Sequence, residues 1–262
     1  MSATSPLLDK KVCIVTGVGP GLGRQTALSV AANGGSLVLA ARTESFLEEV
    51  AAEIGSDRAL AVPTNIAKAD QCQRLIDRTV DHYGRVDCLV NCAFRPDVFT
   101  PFEEADLAVW RKISEVNLWG SLELAKAVAP VMKEQGGGSI VFVNSMVVRK
   151  TQPLQGAYAI SKGGLLTAAQ VLASELGPYR IRVNSVVPGW MWGPPVKGLF
   201  EMLAMGGDTT VEEEYAKRTA NMALGEMPTD ADVANAIVFF ASDLSSAITG
   251  QTLDVNGGEV FI

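Results

Sequence analysis

The chain has 262 residues, 48% of them hydrophobic, and a mean hydropathy of +0.20. This composition excludes a disordered chain, and the length suits one large α/β domain or two smaller ones. The 22 basic and 29 acidic residues give a formal net charge of -7, which repels phosphate backbones and anionic lipid at long range. Nucleic acid and membrane surfaces are therefore not expected as partners.

Neither a targeting segment nor a metal site is expected. The first residues, MSATSPLLDKK, lack a basic region followed by a long apolar stretch, and no apolar run is long enough to span a membrane. The four cysteines have no zinc-ligand spacing and no histidine cluster beside them. Reduced thiols in a cytoplasmic protein are the simplest explanation of Cys13, Cys72, Cys88 and Cys92.

Short apolar runs alternate with helical patterns along the chain. The predicted strands are residues 11–16, 36–41, 59–64, 86–91, 139–143, 181–187 and 251–255. The predicted helices are residues 22–33, 44–54, 68–83, 104–134, 152–176 and 230–241. This order predicts an α/β fold, a Rossmann-type doubly wound parallel sheet of about seven strands with helices on both faces.

The rhythm changes between residues 190 and 228, where two short helical pieces flank Gly206 and Gly207. Thr229 then follows as the expected N-cap of the helix over residues 230–241. No internal repeat, low-complexity tract or linker interrupts the chain. One domain over residues 1–262, with a substrate-loop region at about 189–228, is the expected organisation.

A glycine-rich segment, TGVGPGLG, occupies residues 16–23 between the first strand and the first helix. Glycines at such a junction allow a tight turn and a close approach to a pyrophosphate, whose charge rests on the N-terminus of the following helix. A flexible turn is the alternative, but the position favours dinucleotide binding. The candidate cofactor residues here are Gly17, Pro20, Gly21, Leu22 and Gly23.

Tyr158 and Lys162 lie four residues apart in the predicted helix 152–176, so their side chains share one face. A cation beside a phenol lowers its pKa, by roughly one to three units from ~10, and makes the tyrosine a usable acid or base. Ser145, just after a predicted strand, can donate a hydrogen bond to the same substrate oxygen. Taken alone, the pair is a weak signal, because Tyr and Lys occur at this spacing by chance on many helices and a solvated helix face explains it better.

Together these motifs resemble the short-chain dehydrogenase/reductase family. The shared features are Thr-Gly-x3-Gly-x-Gly at residues 16–23, Ser145, and Tyr158-x3-Lys162, and the resemblance runs from about residue 11 to 258. It implies that Tyr158 is the general acid or base, that Lys162 lowers its pKa and holds the nicotinamide ribose, and that Ser145 orients the substrate oxygen. It also implies that Asn117 holds a water linking Lys162 to solvent.

The resemblance implies that the residues at the end of the second strand decide between NAD and NADP. Ala41 stands where an acid would bind the adenosine ribose, and Arg42 with Thr43 can instead meet a 2′-phosphate. NADP is therefore favoured, with NAD as the alternative if Arg42 only stacks on adenine. The resemblance adds a further set of cofactor-binding residues, namely Asn65, Ile66, Cys92, Ala93, Pro188, Gly189 and Met191.

Three positions depart from the family pattern. Asn65 replaces an aspartate and keeps a hydrogen-bonding side chain. Phe94 replaces a glycine and is expected to narrow the site or wall the substrate pocket. Gly193 replaces a threonine, which removes one expected contact to the nicotinamide carboxamide, and backbone groups near Met191 are the expected compensation.

The segment over residues 190–205 is unusually apolar for a connection. It either completes the core or an oligomer interface, or forms a mobile lid over an apolar substrate. The lid interpretation predicts a bulky, mostly apolar ketone or secondary alcohol, such as a terpenoid, steroid-like or aryl compound. The predicted substrate-binding residues are Phe94, Val147, Gln155, Trp190 and Trp192.

Three other functions are alternatives to the redox enzyme. A serine hydrolase lacks a base near Ser145, because the sole histidine is His82, and Gly-x-Ser-x-Gly is absent. A cofactor-binding regulatory protein without turnover, or an epimerase or dehydratase using the same site, stays open. The resemblance also implies a homotetramer packed through the Asn117 and Tyr158 helices.

Overall fold

The computed structural model describes residues 6–262, which are built around one sheet of parallel strands. In chain order the strands are β1 (Val12–Thr16), β2 (Ser36–Ala41), β3 (Ala59–Pro63), β4 (Cys88–Asn91), β5 (Gly138–Val143), β6 (Ile181–Pro188) and β7 (Thr252–Val255). They lie side by side in the order β3-β2-β1-β4-β5-β6-β7. The predicted seven-stranded, doubly wound sheet is confirmed.

The winding direction reverses between β1 and β4, and this position sets where a ligand can bind. Both strands point the same way and pair in register, with Thr16 opposite Asn91 at their carboxyl ends. At such a switch point the connections leave on opposite faces of the sheet, which opens a crevice beyond the strand ends.

The α-helices connect the strands and cover the two faces of the sheet. In chain order they are α1 (Leu22–Ala32), α2 (Glu44–Ile54), α3 (Ala69–Tyr83), α4 (Leu107–Ser114), α5 (Ser121–Glu134), α6 (Gly156–Leu176), α7 (Pro194–Met205), α8 (Val211–Thr219) and α9 (Asp230–Ala241). None of these helices within residues 6–262 is both long and apolar enough to cross a bilayer.

Successive side chains of β1 point to opposite faces of the sheet and pack in two separate hydrophobic cores. Cys13 and Val15 pack on one face with buried side chains of α1, α2 and α9. Ile14 packs on the other face with α3, α5 and α6. Because both faces are covered, the strand is apolar throughout rather than alternating.

Two predicted helices differ from the structure. The single helix expected over residues 104–134 is divided into α4 and α5 by a π-helical turn, Glu115–Gly120, which contains the buried Asn117. Gly120 packs there against the Ile66 backbone, so that a Cβ at Gly120 would lie 2.8 Å from the Ile66 oxygen. The helix expected from residue 152 begins only at Gly156, after Leu154 at a left-handed φ of 67°.

Residues 190–228 form a helical unit on the carboxyl side of the sheet, as predicted. Helices α7 and α8 flank Gly206 and Gly207, and the latter has a φ of +84°. Phe200 is fully buried between them and forms a small satellite core with Met222 and Met227. The segment therefore has its own apolar interior.

Replacing Gly23 with alanine is expected to lower the free energy of unfolding by ~1–3 kcal/mol, the usual cost of overpacking. The new methyl group would overlap the carbonyl oxygen of Gly17, which is backbone and cannot swing away. Chemical denaturation measures the change. Gly198→Ala is the matched control: Gly198 lies inside α7 with open space around it, so alanine should raise stability by ~0.5–1 kcal/mol. Equal stability of the Gly23→Ala and wild-type proteins would contradict this packing.

Candidate active site

The glycine-rich turn joins β1 to α1, and its glycines serve different purposes. Gly17 has a φ of +72°, and a Cβ there would overlap the backbone of Ala93. Gly23 packs on the Gly17 carbonyl in the same way. Gly21 makes no such contact, because a Cβ there would meet only ordinary neighbours, the nearest being Pro195 Cδ at 3.7 Å. Close packing therefore requires glycine at positions 17 and 23 but not at position 21, which has Pro195 and the Asp230 carboxyl as ordinary neighbours.

The N-terminus of α1 has the features of an anion site. The backbone N–H groups of Leu22 and Gly23 donate no hydrogen bond to any acceptor within residues 6–262, and the first turn of the helix has no acidic side chain. Such N–H groups and the positive end of the helix dipole attract a phosphate. Pro20 is exposed just before them. The predicted pyrophosphate position thus has suitable donors.

A cleft of about 560 Å³ extends from this turn along the ends of β2, β3 and β4. It holds most of the predicted residues of the adenine half: Gly17, Arg42, Thr43, Asn65, Ile66, Cys92 and Ala93. The side-chain oxygen of Asn65 accepts a hydrogen bond from the Ala67 N–H at 3.1 Å. Arg42 is exposed, and its guanidinium forms no ion pair within the described part of the chain.

Cys92 lies at the inner wall of the cleft and is not a reactive thiol. Its side chain is buried beside Thr26, 3.9 Å from the hydroxyl oxygen, and burial raises the thiol pKa to about 12. A thiol with that pKa is protonated at neutral pH and is a poor nucleophile. Cys92 therefore forms part of the cleft wall and is not expected to act as a nucleophile.

The predicted nicotinamide side lies after β6. Pro188 ends that strand, and the N–H of Gly189 donates to the Val255 carbonyl at 2.9 Å. The Met191 carbonyl accepts a 2.8 Å hydrogen bond from the Gly193 N–H. Part of the backbone near Met191, which was expected to compensate for the missing threonine, is therefore already hydrogen-bonded within the chain.

Tyr158, Lys162 and Ser145 come together at the carboxyl end of β5. Lys162 is buried on α6, and its Nζ donates to the carbonyl oxygen of Val143 at 2.7 Å and lies 5.8 Å from the centre of the Tyr158 ring. Ser145 Oγ accepts a 3.3 Å hydrogen bond from the Val147 N–H, so its hydroxyl hydrogen remains able to donate. The fold thus assembles the predicted constellation.

The pKa of Tyr158 is shifted in the direction opposite to the sequence-based expectation. Burial raises it to about 12, and the neighbouring Ser145 hydroxyl lowers it by a smaller amount. Burial also lowers the pKa of Lys162 to about 8. Desolvation disfavours the charged form of both groups and exceeds the attraction expected between ammonium and phenolate. The chain alone therefore holds a neutral phenol.

Asn117 clamps the loop that follows β4. Its side-chain oxygen accepts from the Arg95 N–H at 2.6 Å, and its Nδ2 donates to the Arg95 carbonyl at 3.0 Å and to Ser161 Oγ at 3.1 Å. Ser161 Oγ in turn donates to the Tyr158 carbonyl at 2.8 Å. The Asn117 side chain thus holds the Arg95 backbone and Ser161 in place. Its predicted role in binding a water molecule stays a prediction.

Asp97 also connects the loop after β4 to α6, and the sequence did not predict this contact. Its buried carboxylate accepts from the Tyr158 N–H at 2.8 Å and from its own neighbour, Val98, at 2.8 Å. Helix α6 has no side-chain cap of its own, because Gln155 at the N-cap position makes no capping bond. Asp97 therefore caps the catalytic helix from 61 residues away, and no local pattern in the sequence signals it.

The predicted substrate residues fall into two groups. The ring of Phe94, which is more than half exposed, lies edge-on to Tyr158 at 6.4 Å, and Val147 is buried beside Ser145. Gln155 Nε2 is hydrogen-bonded to Gln152 Oε1 at 3.2 Å, just before α6. Phe94 and Val147 therefore lie next to the reacting groups.

Trp190 and Trp192 belong largely to the helical unit of residues 190–228. Trp192 lies edge-on to Tyr215 at 4.8 Å, and Phe200 lies 6.5 Å from Trp190 and 5.9 Å from Trp192. The guanidinium of Arg218 covers the Trp190 ring at 4.4 Å. These contacts favour the core interpretation for the two tryptophans.

The geometry defines an oxidoreductase that uses a nicotinamide dinucleotide. A glycine-rich turn, the cleft beside it and a buried lysine near a tyrosine and a serine lie along the carboxyl edge of one parallel sheet. No cluster of three or more metal-ligating side chains occurs within residues 6–262.

Comparison with known proteins identifies the family. A family model described as enoyl-(acyl carrier protein) reductase matches residues 17–259. The chain is 33% identical to the 3-oxoacyl-(acyl-carrier-protein) reductase of Thermotoga maritima, with 97% of this chain and 99% of that one aligned. It is also 33% identical to trans-4-hydroxycyclohexanecarboxylate dehydrogenase of Sinomonas cyclohexanicum, with 99% and 96% aligned.

Solved structures with the same fold as this chain lead to the same family. NAD⁺-bound xylitol dehydrogenase matches with a TM-score of 0.88 at 27% identity, over 96% of this chain and 99% of that one. A short-chain dehydrogenase/reductase of Burkholderia xenovorans matches with a TM-score of 0.87 at 33% identity, over 97% and 98%. The chain belongs to the short-chain dehydrogenase/reductase family and is an NAD(P)-dependent enzyme.

Replacing Asp97 with alanine is expected to reduce kcat about tenfold or more, with the affinity for the dinucleotide changed less than about twofold. The variant loses the cap of α6, which should also cost ~1–2 kcal/mol of stability. Steady-state kinetics and denaturation measure the two effects. Asp97→Asn keeps an acceptor oxygen and should recover much of the rate.

Asp106→Ala is the matched control. Asp106 caps α4 through a 2.8 Å hydrogen bond from the Ala108 N–H, so its loss should reduce stability comparably while leaving kcat nearly unchanged. Equal kinetic losses in the Asp97 and Asp106 variants would show that Asp97 has only a structural effect.

Proposed function

We propose that this enzyme reduces a carbonyl, or oxidises the corresponding secondary alcohol, on a bulky and mostly apolar small molecule, with NADP as the favoured cofactor. The observation that carries the proposal is the meeting of the Ser145 hydroxyl, the Tyr158 phenol and the buried Lys162 beneath the exposed ring of Phe94. A carbonyl oxygen has two hydroxyl donors there, and its substituents face apolar side chains.

The proposed chemistry assigns each side chain a step. When bound, the nicotinamide would supply the hydride that the carbonyl carbon accepts. Tyr158 donates its hydroxyl proton to the carbonyl oxygen, which completes the alcohol. Ser145 donates a hydrogen bond to that oxygen and stabilises the negative charge that develops on it. Lys162 holds the nicotinamide ribose and returns a proton to Tyr158.

The raised pKa of Tyr158 and the lowered pKa of Lys162 suit the proton donation that carbonyl reduction requires. With burial raising the Tyr158 pKa to about 12, the phenol carries its proton at neutral pH and is ready to act as an acid. With burial lowering the Lys162 pKa to about 8, the ammonium can give up and regain a proton near neutral pH. Oxidation additionally requires the positive charge of an oxidised nicotinamide to favour the phenolate.

The apolar substrate class is supported by the loop that follows β4. Phe94, Val98, Phe99 and Phe102 leave about half or more of their surface exposed on this loop, and Leu154 is exposed just before α6. Exposed apolar side chains in such a group mark a binding surface rather than a random surface pattern. On α7, Met202 and Met205 are exposed as well.

NADP is favoured by the unpaired Arg42 at the adenine end of the cleft, beside Thr43 and after Ala41. No acidic side chain stands at the end of β2 to repel a 2′-phosphate or to bind the ribose hydroxyls. The remaining cofactor contacts are proposed for Asn65, Ile66, Ala93, Pro188 and Gly189.

A second candidate substrate is a 3-oxoacyl thioester. It is favoured by the Thermotoga maritima relative, a 3-oxoacyl-(acyl-carrier-protein) reductase, whose length matches this chain almost completely. Both candidates need the same proton transfer from Tyr158 and differ only in what occupies the apolar surface.

A homotetramer stays the predicted assembly. The helices expected to form its packing surfaces expose Trp119 in the π-helical turn before α5, and Ile160 and Val171 on α6. An apolar groove lies between α5 and α6, lined by Trp119, Leu122, Ala129, Pro130, Leu172 and Leu176.

The proposed function is tested by following nucleotide absorbance with NADPH and NADH in parallel. The carbonyl panel should contain cyclic terpenoid, steroid-like and aryl ketones, short polar ketones, and an acetoacetyl thioester. Turnover of the bulky ketones with NADPH is expected, and Tyr158→Phe should lower kcat by at least about 10³-fold while nucleotide still binds, because the proton donor is lost. Undiminished activity in Tyr158→Phe would contradict the assigned chemistry.

Replacing Arg42 with alanine is expected to raise KM for NADPH about tenfold or more and to change KM for NADH little, because a charge-assisted contact to the 2′-phosphate is lost. Arg24→Ala is the matched control, since Arg24 is already paired with Glu53 at 2.6 Å and should leave the NADPH to NADH ratio unchanged. Equal effects on both nucleotides in Arg42→Ala would argue for adenine stacking instead.

A further inference from the structure

Gly193 stands where the family resemblance predicts a threonine, and the structure shows what fills that space. A Cβ built on Gly193 would lie 2.6 Å from Oδ2 and 2.8 Å from Oδ1 of Asp230. No side chain at position 193 is compatible with the carboxyl group in that place. The two residues are 37 positions apart in the sequence, so only the fold brings them together.

The Asp230 carboxyl also faces the glycine-rich turn. A Cβ on Gly21 would lie 3.8 Å from Asp230 Oδ2, with Pro195 at a similar distance. The carboxyl group therefore lies between the proposed pyrophosphate turn and the loop after β6. It accepts no hydrogen bond from any group within residues 6–262.

Helix capping does not explain Asp230. The N-terminus of α9 already has a complete capping box, in which Thr229 Oγ1 accepts from the Asp232 N–H and Asp232 Oδ2 accepts from the Thr229 N–H at 2.7 Å. Asp230 is half-buried and close enough to Lys197 of α7 for that ammonium to lower its pKa, although burial raises the pKa by more. The exposed part of the Asp230 carboxyl is therefore free to accept a hydrogen bond from a ligand.

We propose that Asp230 supplies the side-chain contact to the nicotinamide carboxamide that Gly193 lacks. The inference rests on the proposed function, because it requires a bound nicotinamide dinucleotide. A carboxylate is an acceptor, and the carboxamide NH₂ is the donor on that end of the cofactor. The diphosphate offers only acceptors, so it cannot be the favourable partner of an ionised Asp230.

The test measures dissociation constants of three nucleotides for the wild type and Asp230→Ala. The probes are NADP⁺, its 3-acetylpyridine analogue, in which a methyl group replaces the NH₂, and 2′-phospho-ADP-ribose, which has no nicotinamide. We expect Asp230→Ala to weaken NADP⁺ about tenfold, the scale of one charge-assisted hydrogen bond. The other two probes should change by less than about twofold.

A residue swap provides the complementary test. Gly193→Thr alone should weaken NADP⁺ because its side chain collides with the Asp230 carboxyl. The double variant Gly193→Thr/Asp230→Ala removes the collision and places a hydroxyl in the same space, so it should bind NADP⁺ within about threefold of the wild type. Recovery in the double variant would show that the loss in Gly193→Thr comes from the collision with Asp230, and unchanged binding of 2′-phospho-ADP-ribose would show that Asp230→Ala folds.

Asp232→Ala is the matched control on the same turn of α9. It loses the capping box and some stability but should keep the wild-type preference for NADP⁺ over the acetylpyridine analogue. The inference is overturned if Asp230→Ala weakens all three probes alike, or if it tightens them, which would mean that Asp230 mainly repels the diphosphate. If the wild type binds none of the probes, the proposed function itself fails.

Discussion

The burial of one lysine is the constraint on which the site depends. Lys162 keeps an amino group inside the apolar contact between β5 and α6, where its single hydrogen bond within the described residues goes to the Val143 carbonyl. Burying an ammonium with so little compensation is costly, and the lowered pKa expresses that cost. The position is maintained because α6 is capped from a distance by Asp97 and linked through Ser161 to Asn117. These contacts also position Tyr158.

The cofactor side of the molecule follows from close backbone packing at the β1–α1 turn. Gly17 lets the chain pass against Ala93, and Gly23 lets α1 approach the Gly17 carbonyl, so the unpaired N–H groups at the start of α1 face the crevice at the switch point of the sheet. The family relationship explains why an acid-base site lies a short distance along the same edge. Binding and chemistry share one edge because every strand of the sheet ends there.

Departures from the family pattern concentrate around the nicotinamide and the substrate. Phe94 adds an aromatic wall beside Tyr158 where a glycine is usual, and the loop it begins exposes several apolar side chains. Gly193 replaces the usual threonine, and the Asp230 carboxyl of α9 occupies the space that a side chain at position 193 would fill. Both changes leave Ser145, Tyr158 and Lys162 in place, so we expect them to affect substrate choice and cofactor contacts rather than the type of reaction.

The sequence by itself determined the alternating elements and the glycine turn, and it predicted that Ser145, Tyr158 and Lys162 act together, because short-range periodicity and fixed motif spacing encode these features directly. It predicted one helix over residues 104–134, whereas packing of Gly120 on Ile66 places a π-helical turn at Asn117. It also predicted a lowered Tyr158 pKa from charge alone, whereas burial reverses the shift. Only the tertiary structure decided that Asp97 lies at the N-terminus of α6 and Asp230 beside Gly193, since each contacts a segment distant along the chain and their neighbours in sequence carry no sign of it.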